Sequence, residues 1–189
     1  KTNNDCEVIP LLYEKYGLEF ILKKLNGMFA ICILDLNKNQ IFLARDRFGI
    51  KPLYYIFNED FFSFSSEIKS FLAINNFKFK LNKKHISEYF IFKYLAPPNT
   101  LISEINLMLP GELIVFENNQ IKKKIYFDFQ NYNEKIDTKD NKLEILKEKL
   151  KLSVKSQLMS DVNIGCQLSG GIDSSLVTLF AKNYNEKLD

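Results

Sequence analysis

One stretch constrains this chain more than any other: Gln167-Leu168-Ser169-Gly170-Gly171-Ile172-Asp173-Ser174-Ser175, close to its C-terminal end. The apolar run Val162 to Leu168 precedes it. Its length and its β-branched Val162 and Ile164 predict a buried strand. Ser175 to Lys182 follows with the composition of a helix. The expected local order is therefore a strand, a glycine-containing loop with hydroxyls and one acid, then a helix.

That order builds an anion site. The first backbone N–H groups of a helix lack intrahelical partners and carry the positive end of its dipole. Gly170 and Gly171 let the backbone approach a ligand closely. Ser169, Ser174 and Ser175 add hydroxyl donors, and the combination suits a phosphate group. Asp173 repels a bare phosphate, so its presence calls for a divalent cation between the two. A P-loop is excluded, because no Lys follows these glycines. The letters LSGG also occur in the ABC-transporter signature, but Gln does not follow here and no P-loop lies upstream. A plain strand-to-helix turn with an N-cap serine needs fewer of these residues than the stretch supplies. The stretch resembles the pyrophosphate loop of the ATP pyrophosphatases, which adenylate a substrate and release pyrophosphate.

The rest of the chain excludes several classes. Its 189 residues make one large domain or two modest ones. The net charge of +3 comes from mixed, unclustered charges, which argues against a nucleic-acid surface. Lys122 to Lys124 is the longest basic run and reads as a solvated strand edge. Cys6, Cys32 and Cys166 are far apart and form no C-x-x-C, against a zinc site or a disulfide framework. Cys32 and Cys166 lie in apolar runs and read as small buried hydrophobes. No apolar stretch is long enough for a membrane span and no signal peptide is visible, so the expected location is cytoplasmic, without a membrane partner. The chain starts at Lys1 and stops one helix after the phosphate loop. It therefore reads as an internal piece of a longer protein.

From the N-terminus, apolar spacing predicts a helix over 5–16, with Asp5 as its cap or in its first turn, broken by Gly17. A short helix over 18–25 ends at Asn26-Gly27, read as a turn. Strands follow over 28–36, 41–46, 53–57 and 61–65, four antiparallel strands in succession, and a helix over 67–74. A sheet apolar on both faces needs a cover on each, one of helices and one of a second sheet. A helix over 83–94, a loop over 96–100 and a final hairpin over 112–127 complete this part. Residues 128–142 are polar and charged and read as a linker between a domain at 1–127 and another at 143–189. The second opens with an amphipathic helix over 143–159 that aligns Leu143, Leu146, Leu150, Val154 and Leu158.

Three stretches together resemble the N-terminal glutaminase domain of class II glutamine amidotransferases: Leu25 to Ala30 (Leu-Asn-Gly-Met-Phe-Ala), Ala44 to Tyr55 (Ala-Arg-Asp-Arg-Phe-Gly-Ile-Lys-Pro-Leu-Tyr-Tyr) and Ser65 to Lys69 (Ser-Ser-Glu-Ile-Lys). Val154 to Val162 and Leu168 to Ser175 resemble the opening of the synthetase domain of glutamine-hydrolysing asparagine synthetases. The resemblance covers nearly the whole chain. It implies a layered α+β domain, an Ntn-hydrolase-like α/β/β/α sandwich, followed by the start of an α/β ATP-pyrophosphatase domain of the adenine nucleotide α-hydrolase-like type. It also implies two half-reactions: ammonia release from glutamine, and conversion of aspartate with ATP and Mg²⁺ to β-aspartyl-AMP and pyrophosphate.

The resemblance assigns residues one by one. Thr2 to Val8 matches the segment in which a family Asp binds the α-amino group of glutamine, which implies Asp5. Many relatives have Ser where this chain has Asn4. Ser169, Gly170, Gly171 and Ser174 would hold the β,γ-phosphates of ATP, Asp173 would ligate Mg²⁺, and the Leu168 backbone would lie near adenosine. The family nucleophile is an N-terminal Cys expected upstream of Lys1, so no catalytic residue falls in this chain and Cys6 is not it. His85 reads as a surface or helix-packing residue. Arg45 and Arg47 either line a site or pin the turn between two strands. Glutamine, aspartate and ATP are the implied small-molecule partners, and the resemblance allows a homodimer of the full-length protein. An acceptor other than aspartate, as in a β-lactam synthetase or a sugar or peptide amidotransferase, keeps the same fold. A non-catalytic protein on the glutaminase fold has no need of the phosphate loop.

Overall fold

A computed structural model describes residues 4–75, 77–131 and 141–185. The chain divides into two compact units, Lys1–Tyr132 and Asn133–Asp189.

The first unit begins with a 3₁₀ turn, Asp5–Glu7, leading into α1 (Val8–Tyr16) and, across Gly17, α2 (Leu18–Lys24). Two sheets follow. The larger takes β1 (Ala30–Asp35), β2 (Gln40–Arg45), β6 (Glu112–Glu117) and β7 (Gln120–Ile125), in the order β1-β2-β6-β7. The smaller has the order β4-β3-β5, from β3 (Tyr54–Phe57), β4 (Phe62–Ser65) and β5 (Asn106–Leu107). All pairs are antiparallel, and Leu43 stands opposite Ile114 across β2 and β6.

Side-chain alternation sorts the apolar residues into layers. Leu43 and Ile114 of the large sheet meet Tyr55 of the small one, with Leu53 and Met108, in the core between the sheets. Their neighbours in sequence point the other way. Phe42, Ala44 and Leu113 pack with Leu22 of α2 and Tyr13 of α1. On the outer face of the small sheet, Ile56 packs with Ile105 and with Phe71 from the 3₁₀ helix Ile68–Ala73. The unit is thus the expected α/β/β/α sandwich, and each sheet has one face against the other sheet and one under helical turns.

Three expectations need correction here. The four early strands do follow one another, but they do not form one sheet. The turn after Arg45 carries the chain from the large sheet to the small one, so β1–β2 and β3–β4 are hairpins of different layers. The segment 67–74 is 3₁₀ rather than α-helical, and 83–94 splits into a 3₁₀ turn, Lys83–His85, and α3 (Ile86–Phe92). Cys32 is exposed, not buried, and Cys166 is only half-buried. β1 is an edge strand, and Cys32 and Leu34 lie on its far part, outside the cluster that encloses Ala30. Beyond these, β5 is a two-residue strand with no periodicity to reveal it. His85 pairs with Glu88 one turn on, as a helix-end residue does (Nδ1 to Oε2, 2.8 Å).

The linker expected over 128–142 falls mostly outside the described residues. Its first part is a 3₁₀ turn, Phe129–Asn131. In the second unit α4 (Lys142–Ser156) and α5 (Ile172–Lys182) are the helices expected, but the strand over 162–168 does not form. A strand is held by a partner's ladder, and no strand is present among the unit's described residues. Val162 and Leu168 are 76% and 61% exposed.

Candidate functional site

The residues around Asp5 come from four separate stretches. Asn4 is the true cap of the first turn, its Oδ1 accepting from the Cys6 N–H at 2.9 Å. Ser and Asn cap equally well, so Asn4 in place of Ser keeps the turn intact. Capping by Asn4 leaves the Asp5 carboxylate on the first turn, at the rim of a hollow of about 510 Å³. The hollow is also lined by Asn26 and Met28 from the α2–β1 connection, by Lys51 from the turn after β2, and by Ser66 after β4. The three stretches Leu25–Ala30, Ala44–Tyr55 and Ser65–Lys69, scattered in sequence, thus converge with Asp5 on one cavity. Sequence reading assigned Asp5 alone. Asn26 has the letters of a turn residue, and Lys51 and Ser66 carry no local signal, because convergence depends on how the two sheets stack.

Cys6 lines the same hollow. Its thiol donates to Asp5, and that bond with the adjacent carboxylate charge pushes the thiol above its ordinary value. Reactive cysteines need the opposite environment. The Cys6 thiol thus lies beside a carboxylate that disfavours its thiolate.

A buried network holds the turn that carries Lys51. The Arg45 guanidinium donates to the carbonyls of Lys51 (2.8 Å), Gly49 (2.6 Å) and Met108. Asp46, 1% exposed, accepts from the N–H groups of Phe48 (3.1 Å), Ile50 (3.0 Å) and Lys51 (2.9 Å). Gly49 sits at φ +64, and a Cβ there would stand 3.0 Å from both the Arg45 guanidinium carbon and Pro110. The Tyr126 hydroxyl donates to the Arg45 carbonyl at 2.7 Å, and burial pushes that hydroxyl up to about 12. Of the two readings for these arginines, Arg45 pins the turn. Arg47 donates to the Lys23 carbonyl at the end of α2 (2.7 Å) and lies over the Phe127 ring, 5.3 Å from its centroid.

In the second unit the loop before α5 has the features of an anion cradle. Gly170 is at φ +84 with open space where a Cβ would stand. Gly171 is the N-cap and no side chain caps the helix, which leaves its first N–H groups facing outward. The Ser169 and Ser174 hydroxyls lie 3.0 Å apart, and Ser174 also donates to the Gly171 carbonyl at 3.1 Å. The helix starts at Ile172, earlier than expected, which places Asp173 and Ser174 in its first turn. Leu168 precedes this loop in backbone without regular secondary structure, so the strand expected to hold it does not form.

The chain belongs to the glutamine amidotransferase domain family, which matches residues 1–127. The asparagine synthase family matches residues 145–189. Among similar proteins are "Putative asparagine synthetase [glutamine-hydrolyzing] 2" of Methanocaldococcus jannaschii (35% identical, 98% of this chain and 36% of that protein) and "Asparagine synthetase [glutamine-hydrolyzing] 1" of Bacillus subtilis (34% identical, 99% and 29%). "Asparagine synthetase B [glutamine-hydrolyzing]" of Escherichia coli is 34% identical over 97% of this chain and 28% of its own length. The chain thus spans about a third of the relatives it matches. No helix among the described residues is long and apolar enough to cross a membrane.

Proposed function

We propose that the full-length protein makes asparagine from aspartate, glutamine and ATP. The observation that carries this reading is the convergence of Asp5 with three amidotransferase-like stretches on one hollow, followed in the same chain by an uncapped, glycine-bearing helix start. In the first half-reaction Asp5 receives the α-ammonium of glutamine. A carboxylate opposite an ammonium, partly withdrawn from water, favours a free amino acid over a peptide-bound one. A nucleophile outside the described residues attacks the side-chain amide and releases ammonia.

In the second half-reaction aspartate and ATP form β-aspartyl-AMP and pyrophosphate, and ammonia displaces AMP. The Ser169 and Ser174 hydroxyls, with the backbone at Gly170 and Gly171, hold the departing phosphates, and the Leu168 backbone lies toward adenosine. Fixed donors aimed at the leaving group stabilise the charge that develops on it. Asp173 fits a Mg²⁺ role, because that ion is often bound by one or two carboxylates, with phosphate and water completing its shell. The ion would supply charge neutralisation at the phosphates. A cytoplasmic location and a homodimeric full-length protein belong to the same proposal.

The test is pyrophosphate release by the full-length protein with ATP, glutamine and a panel of carboxylate acceptors. Aspartate-dependent pyrophosphate is the expected result, and its absence sinks the reading. Asp173→Ala is expected to abolish synthesis and leave glutamine hydrolysis intact; unchanged synthesis would remove Asp173 from the metal role.

A further inference from the structure

Helix α1 carries Asp5 at its leading turn, yet none of its own residues is fully buried. Its N-terminal half borders hollows rather than packed sheet. Val8 and Ile9 line the 510 Å³ hollow, and Ile9 and Pro10 line a second one of about 430 Å³ along β1. Apolar contact therefore holds this half of the helix weakly. The firm attachment comes two turns later, at Tyr13.

There the Tyr13 hydroxyl donates to Asp35 Oδ2 at 2.5 Å, at the end of β1. Lys38, in the β1–β2 turn, donates its Nζ to the Tyr13 oxygen (3.0 Å) and its backbone N–H to Asp35 Oδ1 (3.0 Å), and its Nζ lies 3.2 Å from Asp35 Oδ2. The Tyr13 ring stacks at a tilt on Phe42 of β2, with centroids 5.7 Å apart. The Tyr13 hydroxyl, Asp35 Oδ2 and Lys38 Nζ thus each have two partners, and α1 is tied to the hairpin at that point.

We propose that Tyr13 is a positioning residue for Asp5. By pinning α1 to the β1–β2 hairpin, it fixes where the Asp5 carboxylate stands in the hollow. The inference rests on the reading that Asp5 receives the glutamine ammonium. The lever arm is adequate: Asp5 and Tyr13 are separated by roughly 12 Å of helix axis. A tilt of about 5° at Tyr13 moves Asp5 by about 1 Å, and a displacement of that size can cost up to about a hundredfold in a positioned site.

The experiment is steady-state glutaminase kinetics of the full-length protein carrying Tyr13→Phe, beside Asp5→Asn. Tyr13→Phe removes one oxygen and keeps the ring on Phe42, and ammonia-driven synthesis serves as the check that the protein folds. Each variant is also assayed for inhibition by glutaramate, the glutamine analogue without the α-amino group. The expected result for Tyr13→Phe is a KM for glutamine raised about five- to tenfold, with kcat within about twofold and the glutaramate Ki unchanged. A loss of structure alone would weaken both ligands alike. Unchanged KM, or KM and Ki rising together, overturns the positioning role while Asp5→Asn still shows the ammonium-selective loss. If Asp5→Asn leaves glutamine binding unaltered, measured as KM or as Kd where turnover is too slow, the Asp5 reading itself fails and the inference falls with it.

Discussion

The two units treat their apolar residues differently. In the first, alternating residues of β2 and β6 are divided between two cores, so that Leu43 and Ile114 meet the small sheet while Phe42 and Leu113 meet helices. In the second, the buried apolar residues among those described are Phe180 and Ala181 of α5, and the stripe on α4 leaves Leu143 and Leu146 exposed. A helix satisfies its own backbone hydrogen bonds, so α4 and α5 form where their local signals place them. A strand does not, and 162–168 stays unpaired among the described residues. What separates the units is whether distant segments supply a ladder and a facing layer.

The largest effect expected from this contrast is at the inter-sheet core. Ile114 is fully buried, and Ile114→Ala should destabilise the first unit by about 2–5 kcal/mol, read as a lowered denaturant midpoint. A cost below about 1 kcal/mol would mean that the two sheets are not packed as a core. Next is the turn that joins the sheets. Asp46→Ala removes a buried acceptor shared by three backbone N–H groups, together with a carboxylate whose charge favours the neighbouring Arg45 guanidinium, at a cost of about 2–4 kcal/mol. Hydrogen exchange at Phe48, Ile50 and Lys51 should rise together in that variant. Unchanged protection there would show that the turn is held by Arg45 alone.

A smaller effect is confined to acid. The Tyr13 hydroxyl bond, then the Lys38 backbone N–H, hold the Asp35 carboxylate down at about 2. A carboxylate depressed in the folded state stabilises above its unfolded value of about 4 and loses that contribution as pH falls through the folded value. Thermal stability should therefore decline between pH 4 and pH 2 with a component that Asp35→Asn lacks. Parallel pH profiles for the two proteins would show that Asp35 is not held in this way.

Much of this was legible in the sequence. Helix positions, both long hairpins, the layered class and the glycine-bearing turn before α5 follow from periodicity, turn letters and motif, all of which are local. The assignment of strands to sheets was not legible, because the turn over Asp46–Pro52 changes layer through a buried network that leaves no periodic trace. For the same reason Asn26, Lys51 and Ser66 could not be grouped with Asp5. The 162–168 run misled in the opposite sense: its composition is that of a buried strand, but composition records a preference for a ladder and not the presence of one.

That run gives the smallest expected effect and the sharpest check on the contrast. Leu168→Ala removes a side chain that is 61% exposed on unpaired backbone. Its cost in the 189-residue chain should stay within about 0.5 kcal/mol, as for surface positions without a specific contact. A loss of about 2 kcal/mol or more would place Leu168 in a packed core. Slow amide exchange along Val162 to Leu168 would add a ladder, and together the two results would erase the difference between the units. Fast exchange with a negligible cost would leave Ser169 to Ser174 held chiefly by the start of α5, so that the loop depends on the helix rather than on a strand behind it.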